Sequence, residues 1–143
     1  MIDFENQVTI GRPVEDVFAY LAAFENVPRW NHAIEETVRI SEGPVGVGSA
    51  YRQRRSIPRP AEETFEVIAF EPPRRLAIRG TIGPFPAELE YELGAGGGGT
   101  RLINRVRLRP RGPRALAARA GRARIREAVA RNLGTLKSLL EGG

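Results

Sequence analysis

The 143-residue chain has no cysteine and one histidine, which excludes disulfides, thiolate metal sites and cysteine nucleophiles and leaves no basis for a structural zinc site. Its 41% hydrophobic and 27% charged residues suit a folded globular protein and not a disordered one, and no apolar run reaches the length of a membrane span. The net charge of +5 hides an asymmetry, since residues 1–100 carry 10 Lys and Arg against 15 Asp and Glu while residues 101–143 carry 12 against 2.

This length predicts one domain over residues 1–143. Met1-Ile2-Asp3-Phe4 opens as a strand and not as a signal peptide, so a cytoplasmic location is expected. "IDFENQVTI" alternates, with Ile2, Phe4, Val8 and Ile10 on one face, and reads as a half-buried strand. Gly11-Arg12-Pro13 ends it. "PVEDVFAYLAAF" then sets Val14, Val17, Phe18 and Leu21 at helical spacing, with Glu15 and Asp16 where the helix dipole favours them. A second short helix is predicted around Glu25–Trp30.

From Ala33 onward the pattern is strands: "AIEETVRI", "GSAYRQRRSI", "AEETFEVIAF", "RRLAIRGTI", "FPAELEYEL" and "TRLINRVRLRP", separated by Gly- and Pro-rich turns. A long helix follows from Gly112-Pro113 to about Leu140, with Leu116, Ile125, Val129, Leu133, Leu136 and Leu140 along one stripe.

Hairpin geometry gives a trial register. Pairing Leu93 with Thr100 sets Glu92 against Arg101 and Glu88 against Arg105. Pairing Phe70 with Arg75 sets Glu66 against Arg79, and pairing Ile57 with Ala61 sets Glu66 against Arg52. Opposite charges then meet on the solvent face, each pair contributing roughly 0.2–1 kcal/mol. These pairs absorb much of the arginine of the last strand, so nucleic acid is not expected as a partner. Arg111, Arg114, Arg119, Arg122, Arg124 and Arg126 stay unpaired. They form either a solvated helix face or a face for an anionic membrane or acidic partner.

Alternation points Tyr51, Phe65, Val67, Leu76, Ile78, Phe85, Leu89, Tyr91, Leu102, Val106 and Leu108 inward, together with Asn6, Glu36, Gln53, Arg55, Glu63 and Asn104. Burying unpartnered charge is costly. Arg55 is expected across from Glu63, with Glu36 across from Gln53. Such a cluster marks either a partly hydrated cavity or an exposed sheet edge beyond the last helix. Ala117, Ala118, Ala120 and Gly121 on that helix are expected to leave room above the sheet.

At this point the whole chain resembles the START-related helix-grip superfamily, SRPBCC, whose members include polyketide cyclase/dehydrase-like and lipid-transfer proteins. The resemblance is carried by "PVEDVFAYLAAFENVPRWN", "GPVGVGSAYRQ", "FEVIAFEPPRRLAIR", "GGGTRLINRV" and "AVARNLGTLKSLLE". It implies an α+β fold in which a curved seven-stranded antiparallel sheet wraps a long C-terminal helix, with two short helices between strands one and two. It also implies an apolar cavity between sheet and helix for a lipid-, polyketide- or sterol-like molecule, with Trp30 lining one end. The residues expected at that cavity are Trp30, Glu36, Tyr51, Gln53, Arg55, Glu63, Phe65, Ile78, Phe85, Leu89, Tyr91, Asn104, Ile125, Val129 and Leu133.

His32, just after the short helix, reads as a surface or hydrogen-bonded loop histidine. As the sharper alternative it is a general acid/base, with Glu36 orienting it or acting as base and Arg55 stabilising an enolate. Binding or carriage of an apolar or aromatic small molecule is the leading expectation, with no metal and no cofactor. The alternatives are a metal-free cyclase, dehydratase or isomerase using His32, Glu36 and Arg55, or a module touching a membrane or partner through the arginine-rich helix. An integral membrane role is not expected, and the sequence leaves oligomeric state open.

Overall fold

The computed structural model describes residues 2–110 and 112–142, apart from the side chains of residues 114 and 118. Arg111, and the side chains of Arg114 and Ala118 on which expectations were placed, therefore lie outside the described residues. Strand β1 (Ile2–Ile10) leads to helix α1 (Val14–Ala22), a 3-10 turn (Phe24–Asn26) and the one-turn helix α2 (Val27–Trp30). Six strands follow: β2 (Ile34–Arg39), β3 (Ala50–Arg55), β4 (Ala61–Glu71), β5 (Arg75–Ile82), β6 (Phe85–Gly96) and β7 (Gly99–Leu108). Helices α3 (Arg114–Ala120) and α4 (Arg122–Gly142) close the chain.

The sheet has seven antiparallel strands in the order β1-β7-β6-β5-β4-β3-β2, the helix-grip arrangement. Its inner face packs Tyr51, Val67, Leu76 and Leu102 with Leu133, Leu136 and Leu140 of α4, and Val17, Phe18, Leu21 and Phe24 join the same core. Helix α4 is tied to β1 along its length. Near its start, Arg122 donates to the Asp3 carbonyl and Asn6 donates to the Arg126 carbonyl. Near its end, Glu141 accepts from the Gly11 N–H at 2.7 Å, and Lys137 donates to the Thr9 carbonyl. The hydrogen bonds from Lys137 and Gly11 hold the Glu141 carboxyl below its usual range.

Two hairpin registers differ from expectation by two residues. Leu93 faces Leu102, which sets Glu90 against Arg105 and Glu88 against Arg107. The reason is the turn: Gly97 and Gly98 take φ of 61° and 79°, a tight pair that lets the strands zip further than a four-glycine loop would. On the other side Gln53 faces Glu63 and Arg52 faces Thr64. A shift of two preserves faces, so charges still meet outside. Arg105 reaches Glu5, Glu90 and Glu92, and Arg79 lies between Glu66 and Glu88. Burial alone would raise the Glu90 carboxyl, but hydrogen bonds from Arg75 and Arg105 outweigh it and hold it low.

Two further expectations fail in ways that matter for the site. Strand β2 slips between Ile34 and Glu36, so Glu36 pairs with Arg54 and Thr37 takes the place opposite Gln53. An extra residue in one strand turns every following side chain over. The C-terminal helix is not continuous either. It breaks at Gly121; the main contact of α3 is with α4, and Leu116 is 77% exposed. Between Leu116 and Ile125 the chain offers only alanine, arginine and glycine. With no apolar stripe to bury, α3 has nothing to hold it over the sheet.

Candidate ligand cavity

A cavity of about 330 Å³ lies between the inner face of the sheet, α2 and α4. Its floor is built by alternate residues of adjacent strands: Phe65, Ile78, Ala87, Leu89, Tyr91 and Val106. Gly80 belongs to that floor because β4 passes too close for a side chain, and a Cβ there would stand 2.5 Å from the Thr64 carbonyl oxygen. Ile125, Ala128, Val129 and Asn132 of α4 form the roof, with Leu21, Phe24 and Trp30 at the side. The mouth is bordered by Ile57 and Pro58 of the β3–β4 turn, Thr81 and Ile82 at the end of β5, and Arg124.

One group of polar side chains interrupts these apolar walls. Gln53 and Arg55 line the cavity from β3, and both donate to Glu63, which sits behind them. Glu63 Oε1 accepts from Gln53 Nε2 at 2.9 Å, while Oε2 accepts from Arg55 Nε at 2.8 Å and from the Gly83 N–H at 2.6 Å. The Glu63 side chain is 1% exposed and that of Arg55 is 11%. A buried carboxylate is tolerable only when its lone pairs are used in this way. The pairing engages Arg55 through Nε, and Nη1 makes only a long 3.4 Å contact with the Ile57 carbonyl. The terminal amines therefore keep donors for a guest, on a guanidinium whose orientation is already fixed.

Six residue steps along β6 from Phe85, at the Glu63 end, lies Tyr91, about 20 Å away at the usual strand rise. Its phenol is buried and meets the Trp30 ring edge-on at 6.4 Å between centroids. Burial pushes its pKa well above the ordinary phenol range, so it stays neutral. The indole N–H of Trp30 is buried with no hydrogen-bond partner among the described residues.

The residues expected at a site fall into three groups. Trp30, Gln53, Arg55, Phe65, Ile78, Leu89, Tyr91, Ile125 and Val129 line the cavity. Glu63, Tyr51, Phe85, Asn104 and Leu133 are near it but do not line it. Glu63 acts through Gln53 and Arg55; Tyr51 stacks behind Phe65 at 5.0 Å; Phe85 joins a second apolar cluster with Ile2 and Phe4; Leu133 is packed core. Asn104 is buried beside Tyr91, with its carbonyl oxygen unpartnered. Burial first, and then the nearby Glu25, raise the Tyr51 phenol, with Arg39 opposing.

Glu36 is the outright correction. Its side chain is 54% exposed on the outer face beside Arg54, because of the slip in β2. His32 is elsewhere again. Its backbone N–H donates to Asn132 Oδ1, and its Nε2 lies 2.8 Å from Thr135 Oγ1. Thr135 Oγ1 also lies 3.2 Å from the Arg131 carbonyl, so the imidazole, the threonine and the α4 backbone form one run of polar contacts. His32, Glu36 and Arg55 are thus not brought together. His32 ties α2 to α4. Replacing it by alanine is expected to lower the unfolding midpoint by a few degrees, for the loss of about 1 kcal/mol, while uptake of an apolar dye stays within about twofold. Thermal melts and dye titration of the same variant check both.

Sequence reasoning missed Asn31, Asn132, Ile57, Pro58 and Arg124 as lining residues. It also missed the Gly83 N–H as the third donor to Glu63. Among the described residues no group of three or more His, Cys, Asp or Glu could hold a metal ion, and no helix is long and apolar enough to cross a membrane.

The family model described as polyketide cyclase / dehydrase and lipid transport matches residues 1–141. Among solved structures, TTHA0849 from Thermus thermophilus is similar over 96% of this chain and 95% of its own, with a TM-score of 0.80 and 16% identity. Zhui aromatase/cyclase from Streptomyces sp. R1128 is similar over 98% and 93%, with a TM-score of 0.77 and 16% identity. A Rhodobacter sphaeroides protein is similar over 98% and 92%, with a TM-score of 0.76 and 23% identity. Likeness at these identities establishes the fold and leaves the chemistry to the site. Comparison with curated proteins finds no match.

Proposed function

The chain belongs to the polyketide cyclase/dehydrase and lipid transport family, and from that premise we propose that it binds and carries an apolar, ring-bearing or acyl small molecule between the sheet and α4. The guest's body lies on Phe65, Ile78, Leu89 and Val129. An anionic or carbonyl oxygen at one end meets the free amines of Arg55 and the amide of Gln53. Residues 1–143 act as one domain in this reading. The observation that carries it is a guanidinium almost wholly withdrawn from solvent, oriented by Glu63, at one end of an otherwise apolar cavity. Apolar walls with few convergent polar groups are the usual pattern of a small-molecule site.

Carriage is favoured over proton-transfer chemistry by the make-up of the walls. The ionisable residues that line the cavity are Arg55, Tyr91 and Arg124. A cyclase or dehydratase working by general acid/base catalysis needs a group that changes protonation near neutrality. Arginine side chains in general do not exchange a proton near neutrality, Tyr91 stays neutral, and the oxygens of Glu63 are taken by three donors. Titration with anilinonaphthalenesulfonate, an aromatic anion of suitable size, tests the reading. Saturable uptake at one site, displaced by polycyclic or long-chain carboxylic acids, is expected. No uptake, or uptake that such acids leave untouched, would overturn it.

A further inference from the structure

The antiparallel order puts several segments at one end of the molecule. The start of β1, the β3–β4 and β5–β6 turns, the end of β7, α3 and the start of α4 all meet there, as the Leu108–Ala87 and Ile2–Leu108 pairs and the Arg122–Asp3 contact require. The cavity opens at this end, past Ile57, Pro58 and Arg124. Two large apolar side chains on separate elements stand out into solvent there, Leu116 at 77% and Ile57 at 56% exposure. The same turn, α3 and the first turns of α4 also carry Arg59, Arg119, Arg124 and Arg126, all exposed, and among the described residues none of these four is within ion-pair distance of a carboxylate.

We propose that this end is a docking face for an anionic lipid surface. Leu116 and Ile57 enter the headgroup boundary, the arginines meet lipid phosphates, and the cavity mouth is held against the bilayer so that an apolar guest moves without crossing water. Isolated apolar side chains ringed by cations are the composition that binds such interfaces. An acidic protein would pair with the arginines but leaves no reason for a leucine on α3 that stands 77% exposed. The inference rests on the cavity reading for its purpose. Its test is separate, because it turns on Arg119, Arg126 and Leu116, none of which lines the cavity.

Flotation with phosphatidylcholine vesicles, with and without phosphatidylglycerol, reads the face directly. Partitioning is expected on the anionic vesicles only and is expected to fall as salt rises. Arg119→Gln and Arg126→Gln should each weaken it about fivefold, and Leu116→Ser about tenfold, with dye uptake in solution unchanged in all three. Equal partitioning on both kinds of vesicle, or none on either, would overturn the proposal. So would capture by soluble polyglutamate without vesicle binding, which would assign the face to an acidic protein. Failed dye uptake with intact vesicle binding would sink the cavity reading and leave the docking face standing.

Discussion

Arg55→Met is expected to weaken binding of an anionic aromatic ligand by about ten- to a hundredfold, the worth of a hydrogen bond to a charged group in a dry site. Binding of a neutral dye such as phenylnaphthylamine should stay within about threefold, because the apolar walls supply its affinity. The same substitution removes one of three donors from a carboxylate that is 1% exposed, so stability should fall by about 2–3 kcal/mol. Gln53 and Gly83 still donate to Glu63, which keeps the loss at the lower end for a broken buried pair. Adding Glu63→Gln discharges the unpaired group and is expected to restore most of the stability while leaving anion affinity low. Chemical denaturation and dye titration on the wild type, the single and the double variant separate the two effects. Recovery of anion affinity in the double variant would show that Arg55 serves the fold alone.

The second large effect is expected from filling the cavity. Ala128 lines the cavity from α4, so Ala128→Phe is expected to project a ring into the void. Uptake of both the anionic and the neutral dye should fall at least about tenfold. Stability should hold or rise by about 0.5–2 kcal/mol, as new contacts replace empty space. A variant that melts lower and still binds would mean that the ring turns outward and that guests bind elsewhere. The two substitutions differ in signature: Arg55→Met discriminates between dyes by charge, and Ala128→Phe does not.

The architecture was legible because burial imposes period two on the strands. The alternation in β4 and β6 sets Phe65, Leu89 and Tyr91 inward whatever the register, and an error of two residues in a hairpin does not change the face. The slip in β2 was not legible. Ile34-Glu35-Glu36-Thr37 alternates no better in one phase than the other, and nothing local marks the extra residue that turns Glu36 out. The break at Gly121 did leave a trace, in the eight-residue gap between Leu116 and Ile125 on the apolar stripe, which a continuous buried helix would not show.

The site was half legible for related reasons. Gln53, Arg55 and Glu63 follow from alternation on adjacent strands. Ile57, Pro58 and Arg124 reach the cavity from a turn and a helix start, where sequence period says nothing about direction. Asn132 falls on the α4 stripe between Val129 and Leu133. A polar residue in that seam is a signal that could have been read, since it needs a partner there and finds one in the His32 N–H.

A crystal structure with bound anilinonaphthalenesulfonate tests the central claim most directly. The expected result is the aromatic body between the sheet and α4, with its sulfonate on the terminal amines of Arg55 and the Arg55–Glu63 pair unbroken. A dye found on the outer face of the sheet, above an inner space filled by Phe65, Leu89 and Val129, would contradict it.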